Sequence, residues 1–214
     1  MLDELRIDST MLIQELFFKT IQGEGYWTGM PCDFIRIYGC PVGCPWCDTG
    51  YADGGQNIHR VNMSIPEITE KIISRNVVIT GGEPFTNAEL PSLINNLVDN
   101  HKEVHVETSG IRWQEVDNPL IDKVWITLSP KEHVSRLKVD NRFWGRASET
   151  KIVIKSIGDF EYYLPRIDKS KPVFVQPCDD GELLQESVKP CLDVVSKYPW
   201  VRLSLQTHKI IGVQ

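Results

Sequence analysis

Cys40, Cys44 and Cys47 stand in the run Cys40-Pro41-Val42-Gly43-Cys44-Pro45-Trp46-Cys47, a CxxxCxxC spacing. Three thiolates on one tight loop suit three irons of a 4Fe-4S cubane, because Cys thiolates are the usual ligands of such clusters. The fourth iron then has no protein ligand and is open to a substrate or cofactor. Gly39 and Gly43 relax a loop that must wrap the cluster, and Pro41 and Pro45 stiffen it. Two other readings stand beside this one. A structural zinc site needs four N or S ligands, usually as paired CxxC elements, and no second pair exists here. A ferredoxin cluster needs a fourth nearby Cys, whereas Cys32, Cys178 and Cys191 lie in other segments and read as small hydrophobes.

The background is an ordinary globular chain. Its 214 residues carry a net charge of −6, with 41% hydrophobic and 24% charged residues. That length suits one domain, here taken as 1–214 with a cluster loop at 39–49. The acidic balance argues against broad nucleic-acid binding, which needs a basic footprint. The opening MLDELRIDST has no basic region followed by an apolar run, and no stretch approaches the length of a membrane span. A cytoplasmic protein with no membrane partner is therefore expected, and its six Cys should stay reduced.

The elements that must position the cysteines follow from periodicity. Strands are expected at Met11–Phe18, Asp33–Tyr38, Asn76–Thr80, Glu103–Glu107, Lys123–Leu128, Lys151–Lys155, Pro172–Val175 and Val201–Leu205. Several are short, nearly continuous apolar runs, such as Val77-Val78-Ile79, which suits buried parallel strands. Ser64 and Glu67 form a capping box for a helix from about 65. Asn87 caps a helix over Ala88–Val98, with Leu90, Leu93, Ile94 and Leu97 on one face. A third helix spans Glu182–Lys197, bent or broken at Pro190. Asp48–Met63 reads as a long loop.

Unusual motifs follow the strand ends: Gln22-Gly23-Glu24-Gly25, Gly39-Cys40, Gly81-Gly82-Glu83-Pro84, Glu107-Thr108-Ser109-Gly110, Ser129-Pro130-Lys131, Gln176-Pro177 and Gln206-Thr207-His208-Lys209. In a parallel β/α barrel the carboxyl ends of the strands share one face, where sites form. The expectation is an α/β fold with mostly parallel strands, an open and incomplete β/α barrel carrying all seven motifs on one rim.

CxxxCxxC together with Gly81-Gly82-Glu83-Pro84 resembles the radical S-adenosylmethionine (radical SAM) superfamily. There the open iron binds the amino and carboxylate groups of S-adenosylmethionine, and reduction releases a 5′-deoxyadenosyl radical. The order of Gln22–Gly25 with Gly29, Phe34-Ile35-Arg36, Cys47-Asp48-Thr49, Glu107–Gly110, Ser129–Lys131 and Gln206–Lys209 is more narrowly similar to the 7-carboxy-7-deazaguanine synthases of queuosine biosynthesis. The likeness runs from about Glu15 to His208. It implies a ring contraction of 6-carboxy-5,6,7,8-tetrahydropterin to 7-carboxy-7-deazaguanine with loss of ammonia, assisted by Mg2+. It also implies a homodimer and a flavodoxin-type reductant.

Under that resemblance Gln22, Gly23, Glu24, Gly25, Arg36, Thr80 and His208 form the substrate side. Gly82, Glu83, Glu107, Ser109, Ser129, Lys131 and Gln176 form the S-adenosylmethionine side, with the Glu83 side chain on the methionine amino group. Cys40, Cys44 and Cys47 hold the cluster, and Thr49 offers its hydroxyl to Mg2+. Each assignment has a plainer counterpart: Gly23-Glu24-Gly25 as a turn, Arg36 in an internal salt bridge, Thr49 as a turn residue, Lys131 as a solvated charge, His208 as a structural histidine. Trp46 reads as a shield for the cluster. A glycyl-radical-enzyme activase would share CxxxCxxC without needing a pterin pocket, and a non-enzymatic metal module would leave the rim motifs unexplained.

Overall fold

The computed structural model describes residues 10–51, 55, 58–116, 120–181 and 183–213. Within them one nine-stranded sheet runs in the order β3-β1-β2-β4-β5-β6-β7-β8-β9. The strands are β1 (Thr10–Ile21), β2 (Pro31–Ile37), β3 (Val61–Ser64), β4 (Asn76–Gly81), β5 (Glu103–Thr108), β6 (Trp125–Leu128), β7 (Glu149–Ile154), β8 (Val173–Pro177) and β9 (Arg202–Leu203). From β2 through β9 all neighbours are parallel. β1 is antiparallel to both β2 and β3, so the sheet stays open, a mostly parallel partial barrel as expected.

The helices are α1 (Ile65–Lys71), α2 (Leu90–Asp99), α3 (Asn141–Arg146), α4 (Ile157–Glu161), α5 (Leu184–Ser187), α6 (Lys189–Lys197) and α7 (Thr207–Ile211). The capping box of α1 is formed: the Ser64 side chain accepts from Glu67 N–H, and Glu67 Oε2 accepts from Ser64 N–H at 2.7 Å. α2 starts at Leu90 rather than Ala88. Asn87 instead closes the turn Pro84–Thr86 and accepts from Glu89 N–H at 2.9 Å. Pro91 then falls in the first helical turn, where a missing N–H is harmless. The helix expected from Glu182 is split into α5 and α6, with Pro190 in the first turn of α6; Glu182 itself lies outside the described residues.

Period-2 alternation decides what each strand presents. Ile35, Ile37, Val77, Ile79, Val104, Val106, Ile126 and Leu128 join one buried cluster with Leu90, Leu93, Ile94, Leu97 and Phe143 of the helices. Ile152, Ile154, Val173 and Val175 join a second with Cys191 and Val194 of α6. The opposite face carries Arg36, Thr80, Glu107, Lys151 and Gln176 into a lumen. These strands are thus apolar beneath the helices and mixed inside, where Phe34, Val78 and Val153 stand among the polar groups. Each aliphatic side chain that is fully buried contributes about 1.5–3 kcal/mol, so the helix-facing layers hold the sheet while the lumen is left for chemistry.

Two expectations fail here. The segment 48–63 is not all loop, because Val61–Ser64 pairs with Thr10–Ile13 as an edge strand. And Gln22–Gly25 does not sit on the common rim. β1 runs against its neighbours, with Ile21 opposite Pro31 at the start of β2, so its carboxyl end lies at the other end of the barrel. The chain beyond it crosses the lumen: Tyr26 N–H donates to Glu149 Oε2 at 2.8 Å, and Trp27 packs edge-on against His105 and Trp125. This segment floors the barrel. Among the described residues no helix is long and apolar enough to cross a membrane.

Candidate active site

The cluster loop is pinned at both ends. Tyr51 is buried, and its hydroxyl accepts from Gly39 N–H at 2.8 Å while donating to Gln14 Oε1 at 3.0 Å. Cys47 N–H donates to Cys44 O at 3.1 Å. The end of β4 lies directly against this loop, with Gly82 N–H donating to Ile37 O at 2.9 Å and Glu83 N–H to Gly39 O at 2.8 Å. A Cβ on Gly82 would stand 1.9 Å from Gly39 O. That approach between backbones explains physically why glycine precedes Glu83.

Cys40, Cys44 and Cys47 are free, half-buried, and line one cavity of about 410 Å³. Burial pushes the Cys40 thiol up to about 11 and also raises Cys44, against backbone hydrogen bonds and the Lys131 ammonium respectively. Metal ligation must displace those protons. Cys32, Cys178 and Cys191 are buried elsewhere, their thiols pushed to about 12, about 11 and about 12 by burial. Among the described residues no three Cys, His or acidic groups are placed to hold a single ion. A set of three thiols facing one chamber fits a cluster with an open iron. Trp46 also lines the chamber, with the Lys155 ammonium 5.4 Å above its ring.

The rim beside the loop is a hydrogen-bonded unit. The Glu83 carboxylate is buried and accepts from Phe85 N–H (3.1 Å), Thr108 Oγ1 (2.5 Å), Ser109 N–H (2.7 Å) and the Ser109 hydroxyl. Burial raises its pKa against those four donors. These bonds tie the Glu83 side chain to the end of β5, and Gly82 and Glu83 both line the chamber. Ser129 N–H donates to Thr108 O at 2.7 Å, and Lys131 Nζ donates to Ser129 O at 2.8 Å. Burial lowers the Lys131 pKa, opposed by the nearby Cys44 thiol.

The floor brings together residues from opposite ends of the chain. Gln22 Nε2 donates to Glu107 Oε1 at 3.2 Å, and Thr80 Oγ1 to Glu107 Oε2 at 2.9 Å. Glu107 therefore faces the lumen with Gln22 and Thr80, while Ser109 turns to Glu83. Glu24 pairs with Lys151 of β7 and accepts from Gln206 Nε2 at 2.9 Å. Burial works to raise the Glu24 pKa, but Lys151, Gln206 and His208 outweigh it and hold it at about 2. Gly25 N–H donates to Ser204 Oγ at 3.0 Å, and Ser204 in turn donates to Gln176 Oε1 at 2.9 Å. Thr207 N–H and Oγ1 both donate to Gly23 O, at 3.0 and 2.9 Å. The His208 ring lies over Gly23, where a Cβ would be 1.9 Å from Nδ1.

Arg36 lines the same chamber and donates from Nε to Glu15 at 3.2 Å. Thr49 Oγ1 stands 3.1 Å from Cys47 Sγ. Lys209 bridges Asp48 of the cluster loop and Asp179 beyond β8, at 2.8 and 2.7 Å. Lys151 and Asp179 lie outside the sequence motifs, and Asp48 and Gln206 lie inside them without an assigned role. Lys151 had a readable signal, since Glu149, Lys151 and Val153 alternate with the apolar Ile152 and Ile154.

A family model described as the radical SAM superfamily matches residues 34–141. The 7-carboxy-7-deazaguanine synthase of Aquifex aeolicus is 30% identical, over 99% of both chains. That of Haemophilus influenzae is 35% identical over 92% of each, and that of Escherichia coli K12 is 31% identical over 92% of this chain and 96% of its own. The crystal structure of QueE from Escherichia coli superposes with a TM-score of 0.74 at 31% identity, covering 93% of this chain and 95% of that one.

Proposed function

This chain belongs to the 7-carboxy-7-deazaguanine synthase family of the radical SAM superfamily, and on that premise we propose that it contracts 6-carboxy-5,6,7,8-tetrahydropterin to 7-carboxy-7-deazaguanine with loss of ammonia. The observation that carries this reading is one cavity walled both by the three thiols and by Glu24, Arg36, Thr80 and Glu107. A cluster cofactor and a polar heterocycle fit that chamber together. When bound there, the cluster and S-adenosylmethionine would supply the one-electron chemistry that starts hydrogen abstraction from the pterin.

The chain's own groups do the placing. Cys40, Cys44 and Cys47 would hold three irons, and Gly82, Glu83, Ser109, Ser129, Lys131 and Gln176 border the S-adenosylmethionine side. Glu24 stays a carboxylate, an acceptor for the ring N–H groups of a pterin. Glu107 faces the same space. The Arg36 guanidinium, part-way into the chamber, offers a fork to the substrate carboxylate and must then share it with Glu15. Gly23 gives the His208 ring the room to lie against it. Thr49, beside the third thiol, offers its hydroxyl to Mg2+, an ion that commonly uses few protein ligands and completes its shell with water or substrate oxygens. Thiols kept reduced in the cytoplasm, a flavodoxin-type donor and a two-copy assembly complete the reading.

The test is anaerobic turnover of the reconstituted protein with dithionite, S-adenosylmethionine, Mg2+ and the carboxypterin, followed by mass spectrometry. The deazaguanine acid is the expected product. Cleavage of S-adenosylmethionine without it would keep the radical chemistry, overturn the substrate and favour an activase. Reduced flavodoxin in place of dithionite, gel filtration, and the Mg2+ requirement of Thr49→Ala test the remaining parts.

A further inference from the structure

Lys151 is a lysine in the wall of the lumen, with a side chain only 5% exposed. A buried ammonium is expensive unless it is paired. Its pairs come from two different parts of the fold: Glu24 on the segment that floors the barrel, and Glu107 on β5, two strands away in the same sheet, at 3.8 Å. Both acids line the chamber. Glu107 also takes one neutral donor on each oxygen, from Gln22 and Thr80, and Glu24 takes Gln206. Other charges face this group. Glu149 lies two residues back on β7, Lys131 approaches from beyond β6, and His208 and Asp48 act on Glu24.

We propose that Lys151 is the positioning residue of the substrate chamber: its ammonium holds Glu24 and Glu107 as two acceptors aimed at one donor-rich heterocycle edge. Without the cation, two acids would share a dry space, and such a pair takes up a proton. One acceptor would become a donor and would oppose the ring N–H groups it should receive. Burial alone would lower the Lys151 pKa, but the surrounding carboxylates outweigh it and raise it, so the charge is retained. The role is electrostatic, and arginine can fill it where glutamine cannot. The inference rests on the pterin reading of the chamber.

The experiment uses the reconstituted holoenzyme with S-adenosylmethionine, comparing wild type with Lys151→Met, Lys151→Gln and Lys151→Arg. The pterin KM is expected to rise about 100-fold in the Met and Gln variants, the scale of breaking a buried charge pair. The S-adenosylmethionine KM should hold, and Lys151→Arg should recover most of the loss. Infrared spectra should show a protonated carboxyl near neutral pH in Lys151→Gln, absent from wild type and removed by adding Glu24→Gln. A pterin KM within about twofold of wild type, or equal rises in both KM values, would overturn the proposal. If the wild type does not turn over the pterin, the functional reading fails by itself. The infrared comparison then decides Lys151 alone: no new carboxyl proton overturns its role, and a new one sustains it.

Discussion

Ser109 donates both its backbone N–H and its hydroxyl to the Glu83 carboxylate, the N–H at 2.7 Å. The two motifs that follow β4 and β5 are thereby one object. Glu83→Ala strands the N–H of Ser109, the N–H of Phe85 and the Thr108 hydroxyl around a buried void. Each buried donor left unpaired costs about 1–3 kcal/mol. The expected outcome is a Tm fall of several degrees together with a raised KM for S-adenosylmethionine. Thermal unfolding and steady-state kinetics on the same preparation check it; a normal KM would detach this unit from cofactor binding.

Removing a cluster ligand should be read in iron, not only in rate. Cys40→Ala, Cys44→Ala and Cys47→Ala should each lose bound iron and sulfide after reconstitution, and the visible absorbance with them. Cys32→Ala and Cys178→Ala should keep both, since these thiols are buried away from the chamber. Iron and sulfide analysis checks the contrast.

Gly23 and His208 form a steric pair. The 1.9 Å between a Cβ on Gly23 and His208 Nδ1 leaves no room for both. Gly23→Ala should lower pterin turnover at least about 10-fold by displacing the ring. The same change in a His208→Ala background should cost far less, because contacting residues are not additive. The double-mutant cycle on kcat/KM measures this.

Arg36 sits in a partly exposed ion pair with Glu15, their side chains 20% and 36% exposed. Such a pair adds at most about 1 kcal/mol to stability. Arg36→Ala should therefore barely change Tm, yet should raise the pterin KM about 10- to 100-fold with the S-adenosylmethionine KM unmoved. A large Tm loss with equal effects on both ligands would reduce Arg36 to a structural role.

His105 is buried on the floor against Trp27, and burial lowers its pKa from 6.5 to about 4, with Glu103 opposing. The unfolded chain binds this proton at a higher pH than the folded one. The contribution is thus complete above about pH 6.5 and is lost as pH falls towards 4, by up to about 3 kcal/mol. His105→Gln should flatten that part of the stability profile. Urea midpoints at about pH 7.5 and about pH 4.5 for both proteins give the comparison.

Several features could be read from residues alone because they are local. CxxxCxxC is a property of eight consecutive positions, the capping box at Ser64 of four, and the apolar runs such as Val77–Ile79 of three. All eight expected strands appear, shifted by a few residues at their ends. The edge strand Val61–Ser64 carries no readable signal because four residues, two apolar and two polar, are too few to set a pattern, and only β1 beside them makes the strand.

What the tertiary structure decided is long-range pairing and direction. A strand's direction in a sheet leaves no mark on its own sequence, so only the antiparallel pairing of β1 reveals that Gln22–Gly25 floors the barrel instead of joining its rim. The Glu24–Lys151 pair spans 127 positions, and the bond of Thr207 to Gly23 spans 184. Periodicity can say that Lys151 faces away from the helices. It cannot say which acids reach Lys151, because they come from β5 and from the segment beyond β1. The sequence by itself determined the cluster chemistry and the class of fold; strand order and the path of the chain beyond β1 decided which charges share the chamber.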